Sequence, residues 1–248
     1  MTENAFEAVR GVPGSRLLLL CDHASNALPP GGLGLDPALL ATHIAYDIGA
    51  AAVTRTLAAA YGAPAFLGAW SRLLIDLTRG ADDPTIVMKL SDGSIIPGNA
   101  HADAAEVARR IAAFHAPYHA AIAAMLDHMG PDAVVVSIHS FTPAWKGRPR
   151  PWEVGVLYDR DRRLADPLMR RLGEAGFTVG DNEPYSGALE GDTLYQHGTL
   201  RGLPHALIEI RQDLIDSDEM AQAFAMRMMP ILDGALADLT SSSKAIGQ

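Results

Sequence analysis

Three strand-length runs in this chain carry almost no polar residue: Leu17–Cys21, Ala133–Ile138 and Ala206–Ile210, the last broken only by Glu209. A strand with one wet face alternates apolar and polar residues, because successive side chains point to opposite sides. These runs do not alternate, so both of their faces must be covered. That is the condition of inner strands in a parallel sheet flanked by helices. Strand runs and helical patterns alternate over most of the length, so the expected fold class is α/β. The expectation is a single-domain three-layer α/β/α arrangement around a mixed, mostly parallel central sheet.

Other segments fill in the pattern. Asp36 and Pro37 have the residue types of a helix cap and first helical position, and that helix is expected to run, with a break, through Asp47-Ile48-Gly49 to Ala60. Pro64–Leu67 and Leu73–Ile75 read as further strands, and 78–99 as an ordered but irregular loop of the kind that often carries function. Ala102–His128 has helical periodicity and stops at Gly130-Pro131. Trp152–Leu157 reads as a strand, Leu164–Gly173 as a helix and Asp218–Leu236 as a long amphipathic helix. Residues 1–12 and the polar tail 240–248 are expected to be disordered.

Composition narrows the function classes. With 248 residues, 48% hydrophobic and 20% charged, the chain suits one large globular domain, and no repeat or linker divides it. Cys21 is the only cysteine, so no intramolecular disulfide can form, and its apolar surroundings suit an inert buried thiol. A formal net charge of −9 offers no basic footprint for nucleic acid. The run at Leu17–Cys21 is too short to span a bilayer. No positive-then-apolar leader opens the sequence, so a cytoplasmic enzyme without membrane contact is expected.

The buried runs also place ionisable groups where α/β proteins gather function, at the carboxyl ends of strands. His23 lies two residues beyond Cys21, His139 directly follows Ile138, and Glu209 sits between Ile208 and Ile210. A carboxylate in such a setting needs a charge, a metal or a catalytic reason, since burial without a partner is costly. Two histidines and one carboxylate could fill three positions on a zinc ion and leave a fourth for water, with a second carboxylate available as base. Each residue alone has a simpler reading: a hydrogen-bonded structural histidine, Asp47 as a solvated helix residue or a partner of His43, Glu209 as a partner of Arg211. Asp22 is suited to orienting His23 from behind. His115 and His119 share a helical face, but the Glu of the His-Glu-x-x-His zinc motif is missing and Pro117 disturbs the helix, which argues against a metal site there.

Taken together, several segments resemble the N-formylglutamate amidohydrolase family over roughly residues 15–220. They are 21–26 (Cys-Asp-His-Ala-Ser-Asn), 71–79, 91–99, Pro117-Tyr118-His119, 137–143, Arg150-Pro151-Trp152, 181–186 and 208–214. The resemblance implies a fold akin to zinc exopeptidases and zinc-dependent cell-wall amidases. It implies zinc held by His23, His139 and an acidic residue, with Glu209 as general base. Carboxypeptidases take the acidic ligand three residues after the first histidine, which here is Asn26, a poor zinc ligand. The amidases take it from the following helix, where this sequence offers Asp47, the preferred choice.

The resemblance also implies an acidic small-molecule substrate, an N-formyl or other N-acyl amino acid such as N-formyl-L-glutamate. Such a substrate needs cations in an otherwise negative protein. Arg79 and Arg211 are the expected carboxylate-gripping forks. Arg72 is a further substrate-binding candidate, with a structural Arg72–Asp76 pair as the alternative. Asn99 and Tyr185 are pocket candidates, and His197, in a predicted loop, is the expected oxyanion donor. A peptidase or cell-wall amidase, or a non-catalytic metal- or carboxylate-binding protein on the same fold, are the competing readings. Oligomeric state is not legible in the sequence.

Overall fold

A computed structural model of the chain describes residues 4–246, and side chains through 241. In chain order the elements are β1 (Phe6–Val9), β2 (Leu17–Cys21), α1 (Pro37–Leu40), α2 (Ala50–Tyr61) and β3 (Ala65–Gly68). A two-strand hairpin, β4 (Leu90–Ser91) and β5 (Ser94–Ile95), precedes α3 (Ala104–Arg110) and α4 (Ala116–Met129), which a π turn at Ile111–His115 joins. Next come β6 (Val134–Phe141), a second hairpin of β7 (Ala144–Trp145) and β8 (Arg148–Pro149), β9 (Val154–Leu157), α5 (Ala165–Glu174) and β10 (Val179–Asp181). The short α6 (Thr193–His197), β11 (His205–Arg211) and the long α7 (Asp218–Ile246) complete the chain.

Seven strands form one sheet in the order β1-β3-β2-β6-β11-β9-β10. The central pairs β3–β2, β2–β6 and β6–β11 are parallel, while β1 on β3 and β9 on β11 are antiparallel. The sheet is therefore mixed and mostly parallel, and the three expected core strands are its middle.

Period-two geometry sorts its residues onto two faces. Leu17, Leu19 and Cys21 of β2, Val134, Val136 and Ile138 of β6, and Ala206, Ile208 and Ile210 of β11 pack with α2, α5 and α7. Leu18, Leu20, Val135 and Leu207 face the other way, against α4, α6 and the 70–96 segment. On β6 and β11, His139 and Glu209 alternate with that first set and so belong to the second face.

Several expectations change. Leu73–Ile75 forms turns and no strand, although all three residues are buried. Its carbonyls find side chains instead of a ladder: Asn99 donates to Leu73 O at 2.7 Å and Arg110 to Leu74 O at 2.8 Å. The helix expected from Asp36 to Ala60 is two helices separated by turns, with Asp36 capping the first through Ala38 N. Gly49, at φ +79°, makes the second turn possible, since a side chain there would meet Ile215 O at 2.0 Å. Within the ends expected to be disordered, Phe6–Val9 form β1 and α7 runs to Ile246, while residues 1–3 and 247–248 lie outside the described residues. Among the described residues no helix is long and apolar enough to cross a membrane.

Candidate metal and active site

The carboxyl ends of β2, β6 and β11 open into a pocket of about 260 Å³ whose walls include His23, Asp47, Arg72, Thr78, Arg79, His139, Tyr185, Glu209 and Gln212. Each strand delivers its functional residue by simple geometry. β2 ends at Cys21 and the next turn carries Asp22 and His23 inward, both buried. In the parallel β6–β11 ladder His139 and Glu209 are direct partners, which sets the two side chains next to each other on one face. Opposite Glu209 on β9 stands Gly155, and a side chain there would meet the Glu183 carbonyl at 2.1 Å. Asp47, just ahead of α2, is tied to the first loop because its N–H donates to His23 O at 2.9 Å.

His23, Asp47 and His139 each offer a ligand atom, and these atoms lie within 4.8 Å of one another. His139 Nδ1 is 2.8 Å from Asp47 Oδ2, and His23 Nδ1 is 3.4 Å from the same oxygen. The second contact is not a hydrogen bond, so His23 Nδ1 has no hydrogen-bond partner among the described residues.

The far nitrogens are held from behind. His23 Nε2 lies 2.7 Å from Asp76 Oδ1 and 3.0 Å from Thr78 Oγ1. His139 Nε2 lies 3.1 Å from Asp22 Oδ2, whose other oxygen accepts from Tyr118 at 2.7 Å. A carboxylate behind each imidazole fixes its tautomer and turns the opposite nitrogen toward a shared point, the arrangement found around metal-binding histidines. Asp22 thus serves His139, and Asp76 takes the place expected for Asp22 behind His23.

Charges in the cluster are strongly coupled. Burial opposes ionisation of Asp22, but the bond and charge of His139, with His23 and Tyr118, hold its carboxyl down to about 2. Burial and Arg72 pull His23 down, yet Asp76 and Asp47 outweigh them and its pKa rises. Burial likewise opposes the charged form of His139, and Asp22 and Asp47 raise it well above the ordinary value. Glu209 behaves differently. Burial pushes its carboxyl up to about 7, against the pull of His139 and with the repulsion of Asp47. Its Oε2 is buried without a hydrogen-bond partner among the described residues.

The remaining expected residues divide. Arg79 lines the pocket, with 36% of its side chain exposed and its nearest carboxylate, Asp83, at 3.7 Å. Arg72 also lines it but is engaged by Asp76 at 2.9 Å and by Asp47 at 3.6 Å. Asn99 is fully buried, bonded to the carbonyls of Leu73 and Met88 and to Arg110, and is not on the pocket wall. Arg211 turns to Asp213 at 2.7 Å and to the Trp152 carbonyl, away from the pocket. His197 ends α6 rather than a loop and bonds to His119 at 2.9 Å, also off the pocket wall. Asn26 is exposed and donates to Leu40 O at 2.8 Å. Tyr185 is on the wall as expected. Gln212, which sequence reasoning passed over, is buried on that wall with Nε2 unpartnered among the described residues. Its only sequence signal was its place three residues after Glu209.

A family model described as N-formylglutamate amidohydrolase matches residues 15–216. No protein among those curated for function matches the chain. A solved gene product of Agrobacterium tumefaciens is 35% identical, with TM-score 0.91, over 96% of this chain and 97% of that one. The N-formylglutamate amidohydrolase of Ralstonia eutropha JMP134 shares the fold with TM-score 0.70 at 21% identity, over 97% of this chain and 98% of that one. The chain belongs to the N-formylglutamate amidohydrolase family, a family of amide-bond hydrolases.

Proposed function

We propose that this pocket hydrolyses the linear amide of an acidic N-acyl amino acid, of the N-formyl-L-glutamate type, with a zinc ion held by His23, Asp47 and His139. The observation that carries the reading is the pairing of a converging His–Asp–His donor set with Glu209, a buried carboxylate whose Oε2 has no partner among the described residues, one strand away. The residues fit such an ion: two nitrogens and one carboxylate oxygen suit zinc, each imidazole is backed by a carboxylate, and His23 Nδ1 lacks a hydrogen bond among the described residues. Zinc bound there would supply Lewis acidity, polarising a carbonyl and lowering the pKa of a water.

The chain's own residues account for the rest. Glu209 takes a proton from the attacking water and returns it to the leaving amine, the two-way role of a general base that becomes an acid. Apolar walls at Leu157 and Leu207 keep that carboxyl in a poorly solvated setting. Gln212 Nε2 is a side-chain donor on the wall, unpartnered among the described residues, that can meet a developing oxyanion in place of His197. Arg79 grips the substrate carboxylate. Arg72 holds Asp76 and Asp47 in place rather than binding substrate.

Glu209→Gln tests the assignment, because it keeps size and hydrogen bonding but removes the base. Zinc content by elemental analysis should be unchanged, while turnover of N-formyl-L-glutamate should fall by roughly 10²–10⁴-fold. Parental turnover in the Glu209→Gln protein would refute the mechanism.

A further inference from the structure

Among the described residues four buried histidines lie outside the pocket and are unused by the chemistry above, and all but His205 form one cluster. His115 and His119 come from the π turn and α4, and His197 from the end of α6. The rings of His115 and His119 have centroids 4.1 Å apart, and those of His119 and His197 are 5.1 Å apart and nearly parallel. They are not scattered core residues, because the outer nitrogens of His115 and His119 converge on one short stretch of backbone and His197 bonds to His119. His115 Nε2 lies 2.8 Å from Arg79 O, and His119 Nε2 lies 3.0 Å from Leu77 O.

That stretch, 76–79, supplies the working parts of one pocket wall. Asp76 and Thr78 stand behind His23, and Arg79 reaches into the pocket. It is irregular backbone with no strand beside it to satisfy its carbonyls, which must find partners elsewhere. Thr193 supplies some: its N–H donates to Thr78 O at 3.1 Å and its hydroxyl to Leu77 O at 3.2 Å. The imidazoles supply the others.

A carbonyl only accepts, so His115 and His119 each carry the proton on Nε2. The neutral His119 ring then accepts on Nδ1 from His197 Nε2, giving a relay from His197 through His119 to Leu77 O. A π turn lengthens one helical turn and is often found where a helix must aim a side chain at a functional feature. Here it ends at His115 itself.

We infer that His115, His119 and His197 are positioning residues that hold the Thr78–Arg79 backbone so that the Arg79 guanidinium meets the substrate carboxylate. The inference rests on the reading of Arg79 as that grip. His115 makes the direct test, because its bond falls on the carbonyl of Arg79 itself.

The experiment compares His115→Leu, His115→Gln and Arg79→Met, plus the His115→Leu/Arg79→Met double variant, on N-formyl-L-glutamate and N-formyl-L-leucine. His115→Leu should raise KM for the glutamate substrate by roughly three- to tenfold, the cost of one lost hydrogen bond, with kcat and the leucine substrate little changed. His115→Gln, whose Nε2 can donate to the same carbonyl, should restore most of the loss. In the Arg79→Met background the His115→Leu substitution should have no further effect on KM. If Arg79→Met leaves KM for the acidic substrate unchanged, the carboxylate-grip reading is wrong and this inference goes with it. If Arg79→Met raises KM but His115→Leu does not, or both substrates and kcat suffer alike without rescue by Gln, the grip stands and the positioning role is overturned.

Discussion

Two groups of histidines in this protein are equally buried and behave in opposite ways. His23 and His139 are each 3% exposed, and His115, His119 and His197 are 4%, 8% and 4% exposed, so solvent access does not separate them. Their neighbours do. The first pair faces Asp22, Asp47 and Asp76, and both pKa values rise despite burial. The second group faces backbone carbonyls and its own members. There burial lowers His115, burial with the two neighbouring rings takes His119 down to about 3, and burial with Arg201 takes His197 down to about 4. Burial alone makes an imidazole neutral, and only carboxylates close at hand reverse that. The carboxylate-lined pair sits in a setting that favours positive charge. In the other group neutral rings donate N–H bonds to backbone or to one another.

The sharpest way to break this contrast is to remove members of each group and measure metal. His139→Ala or Asp47→Ala should strip zinc from the protein and abolish turnover, an effect larger than the roughly 10–100-fold that follows loss of an outer partner. His197→Phe and Asn26→Ala should keep full zinc content after the same dialysis against a mild chelator. Zinc retained by the His139→Ala protein, or lost from the Asn26→Ala one, would move the site.

A smaller effect probes the carboxylates behind the first pair. Asp76→Asn keeps the shape but removes the charge next to His23 Nε2, and zinc affinity in a competition titration should weaken by roughly 10–100-fold. No change would mean that Asp76 serves only Arg72.

The smallest effect concerns stability and pH. Unfolded histidine titrates near 6.5 and folded His197 near about 4, so between these values the unfolded state binds more protons. Its neutral burial is therefore without cost above pH 6.5 and is penalised progressively as pH falls toward 4. Between pH 7 and 5, wild-type unfolding free energy should drop more than that of His197→Phe, by on the order of 1 kcal/mol. Parallel denaturation curves for the two proteins at both pH values would show that His197 is not held neutral.

The sequence exposed the carboxylate-lined group far better than the other. His23, His139 and Glu209 stand out because they interrupt or end runs that are otherwise fully apolar, a signal contained in a few adjacent residues. Asp47 needed the family resemblance, since no local pattern distinguishes it from a solvated turn residue. The strand expected at Leu73–Ile75 failed for a related reason. An apolar triplet is buried in either conformation, and what decides is Asn99 and Arg110, 26 and 36 residues from the carbonyls they take, which a ladder would have used. β1 was missed because four residues are too few to show a period. Asn99, Arg211 and His197 have suitable chemistry, but chemistry does not reveal direction: Asn99 and His197 turn to partners that only the folded chain brings near, and Arg211 turns to Asp213, two residues along the chain.

Gly155 carries a last consequence, and it belongs to heredity. Its ladder position beside Glu209 is filled by the Glu183 carbonyl, which leaves no room for even one carbon. Every missense change in a glycine codon adds such a carbon, and here the obstruction is backbone, which cannot swing aside as a flexible side chain would. The codon for residue 155 is thus expected to be intolerant of drift although its residue has no functional group, and a survey of viable variants would find it silent for the sake of its neighbour.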